Sequence, residues 1–250
     1  MRAFIFIMIL VGVTNHVAVN AQAPDVGMGF SGIYAPPVFV DTIAVIEPEV
    51  YPFTPEGKRS FDAYDPLVLS PNQADDCTPD LMPGILWSNS PMQIGQESGQ
   101  VSIRYERGNI IRPIPLEGPA ASSDQSHTEL GYSIGRWVGD VLTIETTHMT
   151  SNVVRNNRGY PISEGAQVTE RYWREPGENN LHMELTVNDP TNYTDTFSLS
   201  REWVWAPDEE LQQYECISLG PRGDEPDIDE LVRMLSLKHI SEPTRLGMSS

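Results

Sequence analysis

His127-Thr128-Glu129-Leu130-Gly131-Tyr132-Ser133-Ile134-Gly135-Arg136-Trp137-Val138-Gly139-Asp140-Val141-Leu142-Thr143-Ile144-Glu145-Thr146-Thr147-His148 is the stretch that decides the fold class. Leu130, Tyr132 and Ile134 alternate with Gly131, Ser133 and Gly135. Beyond Gly139-Asp140, Leu142, Ile144, Thr146 and His148 alternate with Thr143, Glu145 and Thr147. A pleated strand sends successive side chains to opposite faces, so a period of two with a glycine turn between the runs predicts two antiparallel strands and not a helix. On this reading Tyr132, Thr146 and His148 share the face that turns to the core.

Working outward, the same alternation recurs in Val101-Ser102-Ile103-Arg104-Tyr105-Glu106, in Leu181 to Asn188, and in Phe197, Leu199, Arg201 and Trp203. His182 falls on a polar face. Arg201 sits among apolar positions, where its head reaches Glu145, a ligand anion, or water past a stem that covers the sheet. Gly108-Asn109 and Asn188-Asp189-Pro190 supply turns. The expected fold is all-β: a curled antiparallel sheet or lipocalin-like barrel over residues 101–220. An irregular extension, 24–100, packs on it. Within that extension Pro36-Pro37 breaks the chain, Phe53 to Leu69 holds a short helical turn, and Cys77 to Gly84 forms a rigid clasp. In the 221–250 tail, Ile228, Leu231, Val232 and Leu235 form one stripe of a capping helix, with acids before it and Lys238-His239 after it.

The chain has 250 residues, enough for a single large β domain, and 39% hydrophobic with 20% charged residues excludes wholesale disorder. Its formal charge of -19 repels phosphate backbones and anionic surfaces, which argues against nucleic acid as a partner. Arg2, the apolar run Ala3 to Val13 and the small-x-small sequence Ala21-Gln22-Ala23 form a leader pattern. The expectation is therefore a signal peptide over 1–23, a mature start near Pro24, export to the periplasm or outside the cell, and no integral membrane association after processing. Cys77 and Cys216 are the only cysteines. In an oxidising compartment they join in a disulfide; two separate buried or reactive thiols are the other reading.

The segments His127 to His148, Arg155, Gly159-Tyr160-Pro161-Ile162-Ser163-Glu164, Val168 to Tyr172 and Tyr214-Glu215-Cys216 resemble a broad group of exported bacterial proteins of uncharacterised function. The resemblance runs from around Cys77 to Cys216 and implies no assigned chemistry. In architecture the chain also resembles, more distantly, the lipocalin-type small-ligand barrels.

No P-loop, dinucleotide fingerprint, Cys-x-x-Cys, HExxH or G-x-S-x-G motif is present, so no cofactor and no metal is expected. His127 and His148 lack a fixed arrangement with Glu145 or Asp140, and Ser133 lacks the rest of a triad. Two functions fit a β-barrel. One is a small-molecule-binding chamber in which Tyr132, Thr146, His148 and Arg201 contact an apolar or aromatic ligand with an oxygen-bearing group. The alternative is a cofactor-free lyase, isomerase or cyclase with His148 as general base and Arg201 stabilising developing negative charge. An exported domain with a purely structural role ranks third.

Overall fold

The computed structural model describes residues 29–37, 45–46, 48–64, 80–119, 121–122, 124–154 and 159–216. The expected leader, Cys77 and the expected helix from Ile228 to Leu235 lie outside them.

Among the described residues the strands are β1 (Gly32–Ala35), β2 (Val45–Ile46), β3 (Met92–Glu97), β4 (Gln100–Tyr105), β5 (Ile110–Pro115), β6 (Tyr132–Val138), β7 (Val141–Thr147), β8 (Asn152–Val154), β9 (Tyr160–Ile162), β10 (Gln167–Trp173), β11 (Leu181–Asn188) and β12 (Phe197–Trp205). One helix, α1 (Pro55–Ala63), joins them. Nine strands follow the order β5-β4-β3-β1-β12-β11-β10-β7-β6, all pairings antiparallel; β2 adds to β12, and β8 with β9 forms a separate ribbon. The two ends of that order approach each other, with Arg112 of β5 bonded to Ser133 of β6. The result is a nearly closed antiparallel barrel.

The barrel begins earlier in the chain than residue 101. β1 pairs with both β3 and β12, with Tyr34 opposite Met92 on one side and Trp205 on the other. Residues expected in a packed-on extension are thus staves of the wall. The short β1 was hidden in sequence because Gly32 and Pro36 bracket only a few residues, too few to display a period.

Parity is legible where both strand faces differ in polarity. Leu181, Met183, Leu185 and Val187 are buried, as are Phe197, Leu199, Arg201 and Trp203. On β6 the expectation inverts: Ser133 and Gly135 face the core, while Tyr132 and Ile134 are only half-buried. The cause is steric. A Cβ on Gly135 would stand 3.0 Å from Ile114 Cγ2 and 3.2 Å from Leu116 Cδ2, so only the small-residue face fits against β5.

Helix α1 closes one flank. Thr54 caps it, its hydroxyl accepting from Gly57 N at 3.0 Å, and Pro55 fills the first turn. Its exit at Tyr64 agrees with the expected break before Asp65-Pro66. Gly57 lets the helix dock on the chain at Asn192, whose carbonyl oxygen would lie 2.0 Å from an added Cβ. Phe53 and Phe61 then stack with Tyr193 and Tyr160.

Candidate functional site

The barrel interior is largely apolar but carries a polar girdle built by β4, β5, β6, β7, β10 and β12. Its best-satisfied member is Arg112. Inward parity on β5 gives Arg112 and Ile114 the core, leaving Ile111 and the flanking prolines outside. Glu170 occupies the corresponding inward position of β10. Arg112 Nη1 donates to Glu170 Oε2 at 2.9 Å and Nη2 to Oε1 at 2.6 Å, a two-point ion pair with side-chain exposures of 2% and 0%. Nη2 and Nε also donate to Ser133 Oγ at 2.9 and 3.2 Å, and Nη2 to Thr146 Oγ1 at 2.6 Å. Tyr172 completes the carboxylate, its hydroxyl donating to Glu170 Oε2 at 2.8 Å. Burial opposes the Arg112 charge, yet Glu170 outweighs it and the guanidinium is raised above its ordinary pKa. This pair is electrically closed.

Arg201 is the opposite case. It is 5% exposed, and among the described residues no carboxylate pairs with it. Its Nη1 donates to the carbonyls of Leu86 at 2.9 Å and Ser88 at 3.0 Å, which the buried Met82–Ser88 segment brings to the barrel interior. Its guanidinium carbon lies 3.9 Å from the centroid of the Trp203 ring. Burial pushes its pKa down to about 10, so it stays a cation at neutral pH. Glu145, named in the sequence reading as a partner, lies on the outer face and pairs with Arg136 at 2.7 Å.

The other expected site residues disperse. Thr146 does face the core, but its hydroxyl is engaged by Arg112 and by Ser133 at 2.9 Å. Tyr132 points outward and donates to Pro119 O at 3.2 Å. His148 follows the end of β7 with φ 55, a left-handed turn that takes it off the strand's inward parity. There it is half-buried, its Nδ1 2.9 Å from Thr147 Oγ1 and its ring 5.2 Å from that of exposed His127, tilted by 35°. Arg201 pairs through Met183 and Tyr172 to Leu142. Counting along β7 from Leu142, His148 stands six residues away from that row, about 20 Å at the usual strand rise. The structure does not bring His148 and Arg201 together.

Sequence reading missed Arg112, Glu170, Tyr105 and Tyr172. The signal available was parity: Val101, Ile103 and Tyr105 share one face, and Val168, Glu170 and Tyr172 share another. A glutamate at an inward position of an apolar strand requires a buried cation, and Arg112 is a residue on an inward position of a neighbouring stave. Among the described residues no group of three His, Cys, Asp or Glu is arranged to hold a metal. No helix there is long and apolar enough to cross a membrane. A separate surface cleft of about 450 Å³ opens beside α1, lined by Val50, Tyr51, Phe53, Thr54, Pro55 and Lys58; none of the expected site residues borders it.

The buried phenols give this interior a pH signature. Burial, then the field of Glu170, holds Tyr172 well above the usual tyrosine range. Burial pushes Tyr105 up to about 12 against the lowering influence of Arg112. Burial also raises Tyr34 and Tyr193. Each keeps its proton in the native state after the unfolded chain has released it near pH 10, so stability falls as pH rises from about 10 toward 12 and beyond. Phenolate absorbance should show one group of tyrosines ionising near pH 10 and a second only at or above the unfolding transition. A single titration of all nine tyrosines near pH 10 in folded protein would contradict the burial pattern.

No family model matches the chain, and no curated protein matches it. The class defined by fold and interior is a nearly closed, lipocalin-like antiparallel barrel. Among the described residues its interior holds the closed Arg112–Glu170 ion pair and, at Arg201, a cation paired with no carboxylate.

Proposed function

We propose that this is an exported small-molecule-binding barrel that recognises an apolar or aromatic ligand through an oxygen-bearing group placed at Arg201. The observation that carries the reading is the buried Arg201 guanidinium, which lacks a carboxylate partner among the described residues while Arg112, also in the interior, has Glu170. Sealing a charge in a low-dielectric interior costs several kcal/mol unless something compensates it. The two carbonyls and the Trp203 face compensate only in part. A methionine or leucine would fill the position at less cost, so the retained cation points to a ligand. The lyase, isomerase or cyclase reading needs His148 within reach of the group held by Arg201, and the separation described above removes its support.

To test binding, mature protein is purified without added ligand and its bound organic molecules are extracted and identified by mass spectrometry. A molecule present in near-stoichiometric amount in wild type and in His148→Ala, and lost in Arg201→Met, is the expected result. Equal retention by Arg201→Met would place the ligand elsewhere.

Export is supported by the Arg2, Ala3 to Val13 and Ala21-Gln22-Ala23 pattern. Cys216 is disulfide-bonded; Cys77 is the chain's only other cysteine and lies outside the described residues. Intact mass and a nonreducing peptide map of secreted protein should give a start near Pro24 and a Cys77–Cys216 crosslink. A retained leader or two alkylatable thiols would refute export and closure respectively.

A further inference from the structure

The binding reading leaves the ligand's polar group unspecified. We infer that it is a carboxylate on an apolar body, an inference that rests on the binding reading and narrows it. Among the described residues, three buried polar atoms in this part of the interior have no hydrogen-bond partner: Arg201 Nε, Trp203 Nε1 and the Tyr105 hydroxyl. The residues are 5%, 0% and 2% exposed. Arg201 lies directly over the Trp203 ring, 3.9 Å from its centroid, so two of the three atoms belong to one spot. Tyr105 is close enough to act on the Arg201 charge, and its raised pKa keeps its proton in place.

The chemistry of these groups selects the ligand. Guanidinium and indole nitrogens donate and cannot accept, and a buried neutral phenol with no partner also has a proton to give. The acceptors nearby are already engaged: Glu170 by Arg112 and Tyr172, the Leu86 and Ser88 carbonyls by Arg201 itself. A ligand alcohol would bring a donor of its own into a donor-rich site. An ammonium would meet a cation. A carboxylate brings only acceptors and one negative charge, which matches the Arg201 guanidinium, unpaired with any carboxylate among the described residues. A phosphate dianion would leave a buried charge in excess. Trp203, under the guanidinium, and Leu86, whose carbonyl Arg201 holds, are fully buried apolar residues at this spot.

The test is a titration of mature protein, followed by tryptophan fluorescence and calorimetry, with saturated carboxylates of eight to sixteen carbons and with arylalkanoic carboxylates. Each acid is run beside its methyl ester and its primary alcohol. In wild type the acid should bind about 10- to 100-fold more tightly than the matched ester or alcohol, the range that a charge-assisted hydrogen bond confers. Arg201→Met should erase that preference and Arg201→Lys should restore part of it. Tyr105→Phe, which removes one donor and keeps the ring, and Trp203→Phe, which removes one donor and leaves a smaller aromatic ring, should each narrow it. Arg171→Met, a change on the outer face, should leave it intact. Equal binding of acid, ester and alcohol, or a preference that survives Arg201→Met, would overturn the carboxylate while leaving a binding barrel standing. Failure of every compound to bind wild type would overturn the binding reading and the carboxylate with it.

Discussion

Arg112→Met should lower the unfolding free energy by about 3–5 kcal/mol, the loss expected when one partner of a buried ion pair is removed and the other is stranded. The stranded group is Glu170, fully buried with no water to turn to. Glu170→Gln should cost a comparable amount, because Arg112 then becomes the uncompensated charge. Ser133 and Thr146 soften neither loss greatly, since each hydroxyl already bonds the other at 2.9 Å. Replacing the whole unit, with Arg112→Met, Glu170→Leu and Tyr172→Phe together, should recover most of the single-mutant loss, as apolar replacement of an entire buried pair is often neutral or better. Urea denaturation of the single and combined variants measures this. Losses that simply add would show that Arg112 and Glu170 act independently, contrary to their two-point contact.

Asp189→Ala should cost about 3 kcal/mol, because it strips the acceptors from four hydrogen bonds at once, one buried and three part-buried. The Asp189 carboxylate accepts from Ser163 N at 2.9 Å, Ser163 Oγ at 2.6 Å, Thr191 N at 3.2 Å and Asn192 Nδ2 at 2.8 Å. That one side chain ties the turn after β9 to the turn after β11, and Asn192 in turn carries α1 through its carbonyl bond with Thr54 N at 2.9 Å. Asp189→Asn should recover only part of the loss, since an amide accepts at one of the two oxygen positions and donates at the other. Hydrogen exchange at Ser163 and Thr191 should accelerate in both variants ahead of the barrel strands. Unchanged protection at those amides would show that the turns are held by other contacts.

Parity alone located most of the wall. On β7, β11 and β12 the two faces differ sharply in polarity, and Leu142, Ile144, Thr146, Leu181, Leu185, Leu199 and Trp203 are buried as their spacing implies. β6 defeated the same rule because its core face is Ser133 and Gly135, chosen for the room they leave to Arg112 and Ile114 on a stave some twenty residues earlier. Hydrophobicity cannot reveal a position selected for smallness. His148 defeated it differently: a strand's period says nothing about where the strand stops, and the left-handed residue after Thr147 ends the alternation. Arg201 was legible as an arginine out of place in an apolar register. The Arg112–Glu170 pair was not, because its partners are 58 residues apart and meet only once the barrel closes. That Arg201 meets no carboxylate among the described residues is a property of three-dimensional surroundings and has no signature along the chain.

The direct measurement is a crystal structure of mature protein purified from an exporting host without added ligand, with the region beside Arg201 resolved well enough to identify what its guanidinium meets. Continuous nonprotein density within hydrogen-bond distance of Arg201, extending over Trp203, is the predicted result. A protein carboxylate or ordered water alone satisfying Arg201, with any bound organic molecule lying elsewhere, would contradict it.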